Sequence, residues 1–516
     1  MIKRARYLLW LLLISCSLLQ PEFLPAKDGE AQDIMVQLSK SKGSVYQLLN
    51  VVSEQSGYMF IYDSQLFDND KIVKISAGKY SLTEAVHIIT GDKRLEIRIV
   101  GDHILIYIPE PVVVAPSEEK VTGDEPFFTL SGSLKDRATG EPVIYGSIGV
   151  NNMSYGTVAN QNGDFKLVLP DSLRHAIIKF SQIGYISREI DASLLSGQNI
   201  VFYMDQRVIP LQEVVVRVVD PLRTIREMMN RRAQNYSRDP VYLTTFFREG
   251  IEYKKNVNLV EAVLMAYKTG FQNTVNSDQF KLIKMHRVAN NDDKDTLITK
   301  VKSSLNSCLL LDVVKNPPDF LISDYYGQYK FTHSDITTID DRRIYVISFV
   351  QNELVFDPLY KGKLYIDAEN YALVMARFEI NPLYVRKTAD ELVLKRGKNL
   401  EVIPESVVYE VTYKPYNGIY FINHIRGDLN FKVRKKSRLF TSDLHVWFEI
   451  VNCKIDNNDV KRFPGSDKLP TRDIFSDTNF VYDKDFWEHF NVILPEDKLR
   501  DLVQKYDFSS DMKSAK

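Results

Sequence analysis

The chain has 516 residues, with 66 Lys and Arg against 67 Asp and Glu and a formal charge of −1 with His neutral. A balanced charge supplies no basic field for nucleic acid, so no nucleic-acid partner is expected. The length suggests about three domains, and after residue 26 no stretch reaches the roughly 18 apolar residues that a spanning helix needs.

Lys3, Arg4 and Arg6 precede an apolar run from Tyr7 to Leu19. These are the n-region and h-region of a secretion signal, assigned to residues 1–26. Two exits are open. Leu24-Pro25-Ala26 offers a small residue before a cut, and Leu13-Ile14-Ser15-Cys16 resembles a lipobox, which would put a lipid on Cys16. Leu18 and Leu19 continue the apolar run past Cys16 and tilt the balance to simple cleavage. Either exit directs the chain to the periplasm or the cell outer membrane, soluble or peripherally attached. Only Cys308 and Cys453 then remain. Their pairing cannot be deduced from spacing, and a chain of this size buries a core without staples, so two free buried thiols are expected.

Val45, Leu48, Leu49 and Val52 recur at i, i+3, i+4, i+7 and predict a helix that Gly57 stops. Tyr58–Tyr62 and Ile72–Ile75 read as strands. Ser81-x-x-Glu84 is a capping box opening a second helix that buries Leu82, Ala85, Val86 and Ile89 and ends at Gly91. Leu95–Val100 and His103–Ile108 are two more strands. This small α+β order, with "SVYQLLNVVSEQSGYMFIYD" and "YSLTEAVHIIT", resembles the STN domain, the short N-terminal module of secretins and TonB-dependent receptors. The resemblance covers residues 31–108 and implies a periplasmic unit that binds envelope protein partners.

Pro109, Pro111, Pro116 and Pro126 mark residues 109–126 as an extended linker. Residues 127–217 then read as short strands with closely spaced turns, a β-sandwich. The strands are Phe128–Leu134, Ser147–Val150, Gly156–Val158, Asp164–Leu169 and Ile177–Ile183. Gly140, Gly163 and Gly184 are structural turn positions that allow φ > 0. Asp136 with Glu141, or Asn160 with Asp164, offers oxygen ligands for calcium, but turn chemistry explains them equally. The stretches "SGSLKDRATGEPVIYGSIGV", "GTVANQNGDFKLVLP" and "IKFSQIGYISREI" resemble the carboxypeptidase regulatory-like domain, a transthyretin-like sandwich, with Ala159 where that family usually has Thr. The resemblance implies an accessory domain without peptidase chemistry. In Bacteroidota envelope proteins both modules often precede a TonB-dependent barrel. The ~300 residues left here are too few strands for one.

Residues 221–516 read as a C-terminal antiparallel β-rich domain. Pro221 opens a helix with Leu222, Ile225, Met228 and Met229 on one face. "YSRDPVYLTTFFREGIEY" starts the strands, which continue as Leu259–Tyr267, Phe280–Arg287, Tyr329–Ile336, Ile344–Phe349, Tyr360–Ile366, Leu373–Ile380, Glu405–Tyr413, Ile419–Asn430 and Arg438–Val451. Asp340-Asp341, Asp367–Asn370 and Asn417-Gly418 are turns between neighbours. Lys363, Tyr365 and Asp367 are expected on one face, Leu364 and Ile366 on the other. Asp456–Asp459 reads as a hairpin turn, and Asn290–Asp295 as a solvated acidic loop. "YKGKLYIDAENYALVMARFEI" and "YEVTYKPYNGIYFINHIRGDLNFKV" are similar in strand rhythm to the LolA/LolB-like fold. That implies one curved sheet able to shelter acyl chains or dock lipoproteins. Whether it is hollow or filled stays open. The helix near 222–233 and the segment with Phe486, Trp487 and Phe490 are expected to close it as cavity lid or core.

The chain is therefore read as multidomain and mainly β: a small α+β STN-like domain, a β-sandwich, then a curved antiparallel sheet with flanking helices. The zinc-ligand pattern of a carboxypeptidase, H-E-x-x-H, G-x-S-x-G, a P-loop and G-x-G-x-x-G are all missing. No catalytic residue, cofactor or metal is assigned, and no enzyme is expected. The leading function is a periplasm-facing binding, signalling or scaffold protein of the outer membrane. A lipid or lipoprotein carrier using the curved sheet, and a hydrolase with an unrecognised site, are the alternatives.

Overall fold

The structure is a computed structural model that describes residues 34–62, 66–100, 103–108, 126–195, 199–207, 219–254, 256–289, 300–301, 304–395, 399–436, 440–471, 475, 490–497 and 499–500. Cys16 with the signal segment, residues 109–125 of the linker, the acidic run 290–295, and Phe486 and Trp487 lie outside these residues. Two compact units are present, residues 1–119 and 120–516. No described helix is long and apolar enough to cross a membrane.

The first unit contains β1 (Met35–Leu38), β2 (Ser41–Ser44), α1 (Val45–Ser56), β3 (Met59–Tyr62), β4 (Ile72–Ile75), β5 (Gly78–Ser81), α2 (Leu82–Thr90), β6 (Glu96–Val100) and β7 (His103–Tyr107). Both helices start on a reciprocal serine cap, Ser44 with Gln47 and Ser81 with Glu84, and stop at a left-handed glycine, Gly57 and Gly91. Their buried faces are those the spacing predicts. β3 runs parallel to β7, and β6 pairs antiparallel with it. β1, β2 and β5 form two-stranded pairs β1–β5 and β2–β4 that the sequence did not suggest. Each has only four residues, and β2 and β5 are rich in Ser, Gly and Lys, so they carry too short a pattern to read as strands.

The second unit opens with the sandwich: β8 (Phe127–Asp136), β9 (Ser147–Val150), β10 (Gly156–Val158), β11 (Asp164–Pro170), β12 (Ile177–Ser181), β13 (Arg188–Asp191) and β14 (Asn199–Met204). The sheets are ordered β10-β9-β12-β13 and β11-β8-β14. Phe165, Phe180 and Phe202 fill the space between them, with the latter two stacked at 4.3 Å. Gly140, Gly163 and Gly184 have φ of +74°, +81° and +84°. Gly163 has a second constraint, since a Cβ there would sit 2.4 Å from the Leu134 carbonyl oxygen.

After α3 (Pro221–Asn230) and α4 (Arg232–Asn235) come β15 (Val241–Tyr253), β16 (Asn256–Lys268), β17 (Gln279–Ala289), β18 (Lys300–Val301), α5 (Ser304–Leu310), β19 (Tyr329–Ile339), β20 (Arg342–Gln351), β21 (Tyr360–Asp367), β22 (Leu373–Ile380), α6 (Ala389–Leu392), β23 (Val393–Lys395), β24 (Leu400–Tyr416), β25 (Ile419–Lys435) and β26 (Thr441–Asp456). Ten of these strands make one sheet in the order β17-β16-β15-β26-β25-β24-β22-β21-β20-β19, and every pairing in it is antiparallel. Register shifts at Thr244/Thr245, Val263/Leu264, Tyr365/Ile366 and Thr412/Tyr413 bend and twist the strands locally. The turns at Asp340-Asp341 and Asn417-Gly418 have positive φ at both central residues, as tight hairpins require.

One face of this sheet is covered by α3, α5 and residues 311–321, which bury Ile225, Met228, Leu305, Cys308, Val313 and Phe320 against Phe247, Ile344 and Phe349. Two interior spaces among the described residues there measure about 30 and 40 Å3, far below the ~300–1,000 Å3 of a site for a drug-sized ligand. A more open hollow of about 790 Å3 lies at the rim of the covering layer, lined by Arg232, Phe271, Leu310 and Lys315 among others. The centre of this face is filled.

Four local expectations need correction. The closing segment does not join the helix: Phe490, Val492 and Ile493 pack on the opposite face, against Phe246, Val451 and Cys453. Phe246 and Phe247 are neighbours on β15, so their side chains separate to opposite faces. Asp367 is fully buried instead of facing solvent, because it accepts from the Glu369 and Asn370 amides and pairs with Arg342 at 2.9 Å. Leu222 is half-buried, and Thr224 takes its place in the core. Among the described residues no strand returns after Asp456. Cys308 and Cys453 are free and buried, on opposite faces of the sheet.

Candidate functional site

The central strands β16, β15, β26 and β25 are largely apolar runs interrupted by charged side chains on the sandwich-covered face. Pairing brings these interruptions into a single row. His286 on β17 lies opposite Glu261 on β16, Glu261 opposite Arg248 on β15, and Arg248 opposite Glu449 on β26. Glu449 faces Arg426 on β25, which faces Glu410 on β24, which faces Arg377 on β22. Signs alternate along the row. Arg248 reaches Glu261 at 2.6 Å and Glu449 at 3.1 Å. Arg426 reaches Glu449 at 3.2 Å, and Arg377 reaches Glu410 at 3.4 Å. Opposite charges directly across a strand pair stabilise it, and like charges would not.

The middle of the row is sealed. Arg248 is 0 % and Glu449 1 % exposed. The lid is the segment from Phe490 to Glu496, clamped between sheet and sandwich. Arg248 donates to the Ile493 carbonyl at 2.6 Å, and Asn160 donates to that of Leu494 at 3.1 Å. Asn491 accepts from the Val168 amide at 2.5 Å. Asn160 also accepts from the Asn162 and Asp164 amides. Asp136 accepts from the Ala138 and Thr139 amides and from the Tyr185 hydroxyl. Both residues are turn anchors, with their oxygens engaged by protein donors. Among the described residues no group of three His, Cys, Asp or Glu side chains is arranged to hold a metal.

Burial opposes ionisation of Glu449. The His424 ring together with Arg426 and Arg248 outweighs it and holds the carboxyl well below the usual range. Glu261 is lowered the same way, with Arg248 and His286 overcoming its burial. Glu496, on the lid, moves the other way: burial and the neighbouring Glu449 charge raise it. A carboxyl raised in the folded state contributes stability that is complete below its unfolded value, about 4.3, and is lost as pH rises through the folded value. Glu496→Gln is therefore expected to raise the urea midpoint at neutral pH, with the gain shrinking to nothing in acid. Equal midpoints at neutral pH would show that Glu496 is comfortable as an anion.

Towards β22 the row emerges into a cleft of about 410 Å3 between sandwich and sheet, lined by Tyr145, Gln161, Arg377, Glu410, Arg426 and Asp428 among others. Tyr145 adopts φ +55° and lays its ring 5.6 Å from the Arg426 guanidinium. Asp428 pairs with Arg426 at 2.8 Å and with His445 at 3.2 Å. The lining offers guanidinium, carboxylate, phenol and amide groups but no Ser, Thr, Cys, His or Lys. Such a lining can recognise polar and charged groups through paired guanidinium and carboxylate side chains. Beside it, Lys414 donates to the Ser147 hydroxyl at 3.1 Å, and burial pulls its ammonium down to about 8.

Of the residues singled out in the sequence, Phe490 reaches this site as part of the lid, Asn160 bonds the Leu494 carbonyl, and Cys453 packs beneath the lid. The row itself went unnoticed because its members are scattered between residues 248 and 449. The available signal was an ionic residue inside an apolar run, Arg248 in "TTFFREG", Glu261 in "NLVEAVLM" and Glu449 in "HVWFEIV", since Arg and Glu are almost never fully buried unpaired.

No curated protein matches the chain. Among solved structures, an outer membrane lipoprotein-sorting protein domain from Vibrio parahaemolyticus is 8% identical over 47% of this chain and 95% of its own, with a TM-score of 0.20. MucB in complex with MucA(peri) is 9% identical over 47% of this chain and 96% of its own, with a TM-score of 0.15. Superpositions this loose fix neither fold nor function. The family model of the CarboxypepD_reg-like domain matches residues 130–216, the segment whose sandwich holds one wall of the cleft.

Proposed function

We propose that the protein is a non-catalytic, periplasm-facing binding or scaffold protein of the outer membrane. In this reading residues 31–108, which resemble an STN domain, dock envelope protein partners, and the sandwich is a rigid spacer on the large sheet. One observation carries it: the ionic side chains that the sheet gathers into a row bond each other, the lid carbonyls and neighbouring turns, which is the chemistry of a framework. The signal-like N-terminus supplies the compartment. The first unit supplies a docking module, with helix faces and short edge strands open to groove contacts or strand addition.

Crosslinked pull-down from envelope fractions tests the proposal. The full chain is expected to recover defined envelope partners, and a chain lacking residues 31–108 to lose them while the second unit stays folded. Undiminished recovery by the truncated chain would refute the docking role, and finding the native protein in the cytoplasm would refute the compartment.

A further inference from the structure

The open hollow at the rim of the covering layer has three walls. Arg232 on α4 forms one, and the β16–β17 loop from Thr269 to Asp278 forms the second. The third is α5 with the turn after it, carrying Asn306, Leu310 and Asn316. Its volume of about 790 Å3 falls within the ~300–1,000 Å3 of small-molecule sites. Five of its described lining residues are amides, Gln272, Asn273, Asn276, Asn306 and Asn316, and none is acidic.

The loop is pinned from below. Asp278 accepts from the Thr269 amide at 2.8 Å, from the Thr269 hydroxyl at 2.7 Å and from the Lys315 ammonium at 2.5 Å. The Phe271 amide donates to the Ser237 carbonyl at 3.0 Å. Gly270 lies so close to Arg238 that a Cβ would sit 2.0 Å from its carbonyl oxygen. A pinned loop presents its side chains at low ordering cost. Asn in a loop ordinarily bonds its own backbone, yet the exposed Asn273 and Asn276 side chains bond no described residue. Gln272 donates to the Arg238 carbonyl at 2.8 Å and Asn316 to the Leu310 carbonyl at 2.9 Å, which leaves each its side-chain oxygen. Arg232 spends Nε on the Met229 carbonyl at 3.1 Å and Nη1 on the Val314 carbonyl at 3.0 Å, and keeps Nη2. Its guanidinium lies 5.6 Å from the Phe271 ring. Burial lowers its pKa, and no described carboxylate opposes that. The other cation of the lining, Lys315, is already held by Asp278 and Thr269.

A side-chain amide carries a donor and an acceptor side by side, which matches hydroxyls that both donate and accept. A half-buried guanidinium in a wall without acids calls for an anion, and its planar fork fits a carboxylate. Leu310, 46 % exposed, and the Phe271 ring give apolar ground for the C–H face of a sugar ring. A peptide would instead extend along a sheet edge or a groove, whereas short helices and a loop bound this hollow. We propose that the hollow binds a saccharide carrying a carboxylate, with Arg232 on the carboxylate and Asn273 and Asn276 on hydroxyls. This goes beyond the docking role of residues 31–108 and does not depend on it.

Titration calorimetry on the whole chain tests it with two acidic probes. Trigalacturonate carries its carboxylates on the sugar rings, and N-acetylglucosaminyl-N-acetylmuramic acid carries one on a lactyl ether. Binding of at least one is expected, and the preferred probe separates a uronic acid polymer from a cell-wall glycan as the source. Asn273→Ala with Asn276→Ala is expected to weaken binding roughly tenfold, and since both side chains are exposed and unbonded the fold is expected to be untouched. Arg232→Gln is expected to weaken it by roughly tenfold or more, down to the level of the neutral galactotriose. Should that variant unfold for want of its bonds to Met229 and Val314, galactotriose on the parent reads the carboxylate alone. Absence of binding by both acidic probes at millimolar concentration overturns the proposal. So does affinity unmoved by the asparagine variant, or parity between neutral and acidic probes. Binding of an acidic tripeptide in place of both saccharides also overturns it and assigns the hollow to a protein segment. Partner capture through residues 31–108 is read separately, so either proposal can fail while the other stands.

Discussion

Glu449→Gln is expected to lower the unfolding free energy of the second unit by about 3–5 kcal/mol at neutral pH, because removing one member of a buried ion cluster leaves its partners uncompensated. Glu449 is the node of the row. It faces Arg248 at 3.1 Å and Arg426 at 3.2 Å, and the His424 ring lies 3.5 Å away. The amide keeps the shape and removes the charge, so Arg248 is left with Glu261 and the lid carbonyls, and Arg426 with Asp428. Urea unfolding reads the loss. The pH dependence supplies an independent check. A carboxyl held below its unfolded value contributes stability that is present above about pH 4.3 and is lost as pH falls through the folded value. The parent should therefore lose stability steeply in acid, and the variant less so, until the two converge. A loss under about 1 kcal/mol, the scale of an exposed pair, would mean that the lid carbonyls and Asp428 suffice for the two arginines.

A cluster this deep is weak evidence of net stabilisation, since desolvating the charges offsets much of their attraction. Its physical consequence is register. The side-chain period of a strand is two, so a slip of one residue on β15 or β26 would turn Arg248 or Glu449 into the Phe247–Phe320 core and put Phe247 or Phe448 under the sandwich. The alternating charges across β16, β15, β26 and β25 penalise that slip at four neighbouring strands. The lid extends the same logic to domain placement. Ile493 and Leu494 offer carbonyls to Arg248 from one side and to Asn160 of the sandwich from the other, so the sandwich is seated by the chemistry that satisfies the buried guanidinium.

Local structure was legible where a residue type has one physical use. Ser81 with Glu84 opens α2, Gly57 and Gly91 end helices in the left-handed region, and Asp340-Asp341 and Asn417-Gly418 form tight hairpins. The antiparallel sheet followed from apolar runs joined by such turns without intervening helices. What was not legible depends on partners distant in sequence. Alternation assigns Leu364 and Ile366 to one face of β21, but it cannot say that a register shift and an ion pair with Arg342 draw Asp367 inside. It gives β15 two faces without saying which meets the helices and which the sandwich, so Phe490 was assigned to the wrong layer. The row from His286 to Arg377 exists only after seven strands are paired, although β15, β16 and β26 each displayed an exception.

Phe320→Ala is expected to cost about 3–5 kcal/mol, the range for truncating a large buried aromatic. Phe320 is fully buried. It stacks on Phe349 at 4.3 Å and meets Phe378, Tyr360 and Tyr329 edge-on at 5.2, 5.8 and 6.2 Å. It enters from residues 319–321, a short turn lying across β19 to β22, and so joins the covering layer to the sheet. The same variant separates a filled sheet from a hollow one. In a filled core, deletion of the ring leaves a dry apolar void that small hydrophobic probes enter only in the variant. In a carrier, the parent would already take up such probes and the ring would act as a gate, so its loss would change uptake and leave the urea midpoint nearly untouched. Large destabilisation with probe binding confined to the variant is the expected pair of results. Uptake by the parent at unchanged stability would return the acyl-carrier reading of this sheet.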